Sequence, residues 1–228
     1  MFSIRAANQH EKASDRAYRE LRQMIVSMKI EPGTMVDEKT LSAELGIGRT
    51  PVREALLRLA DQRLVDILPR KGTFVTPIRN TDVRAVEELR WHLESLAARW
   101  AAERAEAHEV DAFRQLLAEA ESGAFVGIPD WDVELDRSVH LMLAAAAHNP
   151  FLAEELGRLY DHSVRLLYAN RQSMAAAVEE FPDYRAILSA LEARDGRAAE
   201  AAMQVHLRAS REQVAHDFES SLVAALAN

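Results

Sequence analysis

The chain has 228 residues, 48% hydrophobic and 28% charged, with no cysteine and a formal net charge of −8. This is an ordinary composition for a folded protein and excludes disorder, collagen-like repeats and a monotonous coiled coil. The missing cysteine excludes disulfides, thiolate zinc sites and cysteine nucleophiles, and eight glycines with seven prolines are too few for a turn-rich all-β protein.

In chain order, residues 14–29 predict a helix, because Tyr18, Leu21, Ile25 and Met28 recur at helical spacing. Glu31-Pro32-Gly33-Thr34 is a turn that ends it. Asp37 is expected to cap a short helix over 38–45, with Leu41 and Leu45 inward and Gly46 as its stop. A third helix follows Gly48, with Thr50 as N-cap, Pro51 in the first turn and Val52, Leu56 and Leu59 as the buried stripe. The period then changes. Residues 64–68 and 73–76 predict two strands, with Pro69-Arg70-Lys71-Gly72 as the turn between them. Beyond Pro77 the pattern is helical, with helices expected near 81–105, 109–125, 130–147, 150–172, 181–195 and 197–226.

This order predicts a mainly α protein. Residues 1–78 form a winged helix-turn-helix with a two-stranded wing, and residues 79–228 form an all-helical bundle of about six helices. Charge divides the same way. Residues 1–78 hold 13 Lys and Arg against 10 Asp and Glu, whereas residues 79–228 hold 15 against 26. Such asymmetry points to a nucleic-acid-facing part joined to an acidic part with another task. No apolar run is long enough for a membrane span, and residues 1–15 show no secretory signal, so a cytoplasmic protein is expected.

A recognition helix enters the major groove by its N-terminal residues. Arg49 and Arg53 are one helical turn apart on the face opposite the apolar stripe, and a guanidinium there suits guanine or a phosphate. Thr50 and the helix N-terminus can hold a phosphate oxygen. Lys39, Arg70 and Lys71 flank the groove, and Gly72 lets the wing backbone approach the duplex. The plainer alternative for each is a solvated face or a simple turn.

Ile30-Glu31-Pro32-Gly33-Thr34, Leu41-Ser42-Ala43-Glu44-Leu45-Gly46, the run from Arg49 to Leu56 and Lys71-Gly72-Thr73-Phe74-Val75 together resemble the GntR family of bacterial transcription regulators. The resemblance implies that Lys39, Arg49, Thr50, Arg53 and Lys71 contact operator DNA, with Arg70 at the same wing tip. The helical part resembles the ligand-sensing, FCD-type domain of the FadR branch. Leu89-Arg90 with Glu94, Asp136 with His140, Asn149-Pro150 and His206-Leu207 carry that likeness.

Asp136 and His140, four apart on one helix, can meet one divalent cation such as zinc. The resemblance adds His206 as a further ligand. It places Tyr184 where metal-binding relatives carry a histidine, and a neutral phenol is a poor ligand at pH 7. The alternative is a polar pocket without metal. Arg90 matches a position that faces the effector in relatives and suits a carboxylate; its alternative is a surface pair with Glu94. His92, His108, His148, His162 and His216 receive no role, and Trp91, Trp100 and Trp131 are expected to pack. The reading is a homodimeric transcription regulator, in the commoner family mode a repressor. It binds double-stranded operator DNA and responds to a small organic acid held by Arg90 and Tyr184. The rival is a helical metal-dependent hydrolase with an accessory winged domain, for which no general base stands at motif spacing.

Overall fold

The computed structural model describes residues 11–125, 131–169 and 182–226. The chain divides into two compact units, Met1–Arg79 and Asn80–Asn228.

The first unit begins with helix α1, Ala13–Val26. It ends earlier than the apolar spacing predicts, because Met28 turns left-handed at φ 60 and the Ile30 N–H returns to the Met24 carbonyl at 3.0 Å. Helix α2 spans Glu38–Leu45. Asp37 caps it by accepting from the Thr40 N–H, and Gly46 closes it at φ 62, a conformation a glycine takes without steric penalty. Helix α3 spans Arg49–Asp61. Its N-cap is Gly48 and not Thr50, so Arg49 is already helical and Thr50 and Pro51 lie in the first turn.

The wing holds one strand more than the sequence predicts. Strands β2 (Val65–Leu68) and β3 (Gly72–Val75) form the expected antiparallel hairpin, with Leu68 opposite Gly72. The two-residue strand β1, Met35–Val36, pairs with the other edge of β3, Met35 opposite Phe74. The sheet order is therefore β1-β3-β2. The turn residue in left-handed conformation is Arg70, at φ 63, while Gly72 sits at φ 116. Leu21, Ile25, Val52, Leu59, Leu64 and Val75 are buried together beneath these elements. Each such side chain removed from water contributes about 1.5–3 kcal/mol.

The second unit contains α4 (Asn80–Arg104), α5 (Ala107–Glu121), α6 (Trp131–Ala146), α7 (Pro150–Ala169), α8 (Pro182–Glu192) and α9 (Gly196–Leu226). The expected helix over 109–125 starts earlier, because Glu106 and Glu109 form a reciprocal capping box at its head, and it ends at Glu121, before the left-handed Gly123 at φ 75. Asn149 accepts from the Leu152 N–H at the start of α7, and Asp195 from the Ala198 N–H at the start of α9. Expected helical residues 105, 147 and 193–195 are not in these helices, and expected residues 130, 170–172 and 181 lie outside the described residues. Helix α4 packs against α6, α7, α8 and α9, and α9 also runs along α8. Phe113, Leu135, Val139, Leu143, Ile187 and Met203 belong to the resulting core. Trp91 and Trp131 pack against it, and Trp100 packs on a smaller cluster beside it. No described helix is long and apolar enough to cross a membrane.

Candidate functional site

Each unit carries a polar cluster, exposed in the first unit and largely buried beside the core in the second. In the first unit, Lys39, Arg49, Thr50, Arg53, Arg70, Lys71 and Gly72 are all exposed. The structure brings two of them together. The Arg53 Nε–H donates to Glu38 Oε1 at 2.9 Å, and Arg49 Nη2 lies 3.6 Å from Glu38 Oε2. The arginine side chains are 67% and 66% exposed, but Glu38 only 25%. Glu38 is the first residue of α2, where a carboxylate also favours the helix dipole. Sequence reasoning missed it, because 15 residues separate it from Arg53 and no local period links the two.

In the second unit, α4 contributes Glu87, Arg90 and Glu94 from one face, α6 contributes Asp136 and His140, α7 Tyr160, α8 Tyr184 and α9 His206. Arg90 and Glu94 are buried, not a surface pair. The Arg90 Nε–H donates to Glu94 Oε1 at 2.5 Å and its Nη1 to Glu87 Oε1 at 3.1 Å. Glu94 Oε2 meets His140 Nδ1. Burial alone would raise the Glu94 carboxyl, but Arg90 and then His140 outweigh it and hold it at about 2. Burial would likewise lower His140, yet Glu94 and Asp136 push it up to about 9. With Nδ1 in ion-pair contact with Glu94, His140 turns Nε2 toward Asp136 and His206, and a partner on one ring nitrogen decides which nitrogen is free to ligate.

Three donor atoms converge there. His140 Nε2 and His206 Nε2 are 3.1 Å apart, and Asp136 Oδ1 lies 3.5 Å from the first and 3.6 Å from the second. The centre of that triangle is about 2.0 Å from each atom, the length of a zinc–imidazole or zinc–carboxylate bond. The donor set therefore fits a divalent ion, and it is a group of ligand-type residues close enough to hold one among those described.

Tyr184 stands beside these atoms as a hydrogen-bond donor. Its hydroxyl donates to Asp136 Oδ1 at 2.6 Å, and its ring lies 4.9 Å from that of His206. Burial, and next the adjacent Asp136, drive the phenol well above 10.0, so it stays protonated. Tyr160 donates to the other Asp136 oxygen. Tyr160 and the Glu94–His140 contact carry no motif signal, because each joins residues on different helices, whereas Glu87 stands three residues before Arg90 on α4, a spacing the sequence does show.

Of the remaining histidines, His92 and His108 are exposed, His162 is half-buried and His148 lies 2.9 Å from Glu109. His216 falls among the side chains outside the description.

Residues 13–75 match the family model described as bacterial regulatory proteins, gntR family, and residues 85–209 match the FCD domain. The chain is 30% identical over 207 residues to the HTH-type transcriptional repressor RspR of Escherichia coli, covering 91% of each protein. Its fold is similar to that of E. coli McbR/YncC, with a TM-score of 0.81 at 20% identity over 91% of this chain and 99% of that one. A GntR family member from Pseudomonas syringae pv. tomato is similar with a TM-score of 0.57 at 27% identity, over 93% of this chain and 89% of that one.

Proposed function

The chain belongs to the bacterial gntR family of regulatory proteins, with an FCD domain in its second unit, and is a DNA-binding transcription regulator; from that premise we propose that it is a metal-assisted sensor of a small organic acid. The observation that carries the sensing role is the convergence of Asp136 Oδ1, His140 Nε2 and His206 Nε2 within one cation's reach. A bound divalent ion would supply an electrophilic anchor for a carboxylate oxygen.

The chain's own residues do the rest. Glu94 orients His140, Tyr184 and Tyr160 hold Asp136 in place, and Arg90 contributes positive charge near Asp136. We place the effector's carboxylate beside Arg90 and Tyr184. Residues 79–228 bind effector and dimerise, while residues 1–78 bind DNA. Lys39, Arg49, Thr50, Arg53, Arg70, Lys71 and Gly72 form the face toward the duplex. A homodimer presents two recognition helices to a pseudo-palindromic operator. Within the family we favour the FadR branch, repression as the mode and the cytoplasm as the location. A hydrolase built on the same cluster has no support among the matched families, which are regulators.

The test is a thermal-shift screen of small organic acids with and without zinc, followed by fluorescence anisotropy on the DNA just upstream of the chain's own gene. A binding acid at a hundred times its Kd should stabilise the protein by about 2.7 kcal/mol and change its affinity for that DNA. Zinc and every acid leaving the melting curve unmoved would overturn the sensor.

A further inference from the structure

One carboxylate sits between the two arginines of α3, each oxygen facing a different guanidinium. The Arg53 Nε–H donates to Glu38 Oε1 at 2.9 Å, and Glu38 Oε2 lies 3.6 Å from Arg49 Nη2. The arginine side chains are largely exposed while the carboxylate lies deeper. An exposed ion pair of this kind adds little to folding stability, so its effect must be sought where the arginines meet a ligand.

Two consequences follow. The first is geometric. With Nε engaged, Arg53 has only its terminal Nη1 and Nη2 edge to offer, and that edge matches the O6 and N7 acceptors of guanine end-on. The side chain is already ordered, so less rotamer freedom is lost on binding. The second is electrostatic. Random DNA is bound by charge neutralisation of phosphates. A carboxylate between the arginines cancels part of their charge and repels phosphate, and only a guanine contact made in register offsets that penalty. A repulsive element of this kind raises specificity by weakening the wrong complex.

We propose, resting on the DNA-binding reading above, that Glu38 is a positioning residue for sequence recognition. It holds Arg53 for end-on pairing with a guanine and penalises phosphate contacts by Arg49 and Arg53. It thereby sets the ratio of operator to random-DNA affinity.

The experiment uses the full chain as wild type, Glu38→Ala and Glu38→Gln. The probes are a duplex enriched by the wild type from a randomised pool, its single-base-pair variants, and a scrambled duplex of equal composition. Glu38→Ala should bind the scrambled duplex about threefold to tenfold tighter, with a salt slope steeper by about one. Its discrimination at one G·C pair should fall about tenfold. Glu38→Gln keeps an acceptor for the Arg53 Nε–H but loses the charge. It should retain the G·C preference and still bind the scrambled duplex more tightly than wild type. Equal weakening on both duplexes in Glu38→Ala, with base preferences and salt slope unchanged, would mean a merely structural role and overturn the proposal. If Glu38→Ala does not fold, Glu38→Gln decides alone: wild-type affinity for the scrambled duplex overturns the proposal. Should the wild type enrich no sequence at all, the DNA-binding reading fails and this inference with it. Enrichment by the wild type with an unchanged ratio in a folded variant overturns the role of Glu38 only.

Discussion

Replacing Glu94 by Gln should destabilise the second unit selectively, and the structure sets the size of the effect. Both Glu94 oxygens are committed, one to Arg90 Nε at 2.5 Å and one to His140 Nδ1, in a side chain only 5% exposed. Losing one partner of such a buried ionic cluster typically costs about 3–5 kcal/mol. The acid–base chemistry gives a second measure. Glu94 is held at about 2 instead of 4.5, and at about 1.4 kcal/mol per pKa unit this is roughly 3 kcal/mol. The rise of His140 from 6.5 to about 9 is largely the same attraction seen from its partner, so the two are not added. The signs fix a window. The Glu94 contribution is present above 4.5 and is lost as pH falls toward about 2. The His140 contribution is present below 6.5 and is lost as pH rises through about 9. Metal-free wild type should therefore be most stable between these limits, at about pH 5–6. Glu94→Gln should lose about 3 kcal/mol there and melt about 6–12 °C lower. The assay is urea unfolding in chelator, followed by tryptophan fluorescence. Trp91, Trp100 and Trp131 are the three tryptophans of the chain and all lie in the second unit. A variant within about 0.5 kcal/mol of wild type, with a parallel pH profile, would refute the reasoning.

In the first unit, Arg53→Ala should leave the melting temperature unchanged, since the side chain is 67% exposed, and weaken binding to the enriched duplex about tenfold to a hundredfold; full retention of affinity on that duplex would remove Arg53 from the interface. Residues 79–228 alone should sediment as a dimer and residues 1–78 as a monomer, so a folded but monomeric helical fragment would contradict the assembly proposed here. Metal analysis after reconstitution should find about one zinc per chain, and His140→Ala should abolish binding. Tyr184→His should tighten it, because neutral imidazole replaces a phenol that stays protonated at 2.6 Å from Asp136; unchanged metal affinity in Tyr184→His would show that this position lies outside the coordination sphere.

Local order carries far along this chain. The apolar stripe of α3, the Asp37 cap, the Gly46 stop, the Asn149-Pro150 break and the six described helices after residue 79 follow from spacing and backbone chemistry within a few residues. The arginine pair on α3 and the Asp136–His140 pair on α6 are legible for the same reason, since a helix places residues four apart on one face. Tertiary packing decided everything that joins distant segments. Strand β1 is only two residues long and has no period of its own; it exists because Met35 and Val36 meet the open edge of β3. Thr50 has the chemistry of a cap, yet α3 already begins at Arg49, and Gly48 is its cap. Glu38 reaches Arg53 across 15 residues, and His206 reaches His140 across 66. A local pattern records which face a residue takes on its own element, whereas its partner depends on how that element packs against the others. The burial of Arg90 and Glu94 arises only once the helices of the second unit exclude water from around α4, and His140 becomes strongly basic only because the packing of α6 on α4 sets Glu94 against it, which together with Asp136 outweighs the lowering by burial.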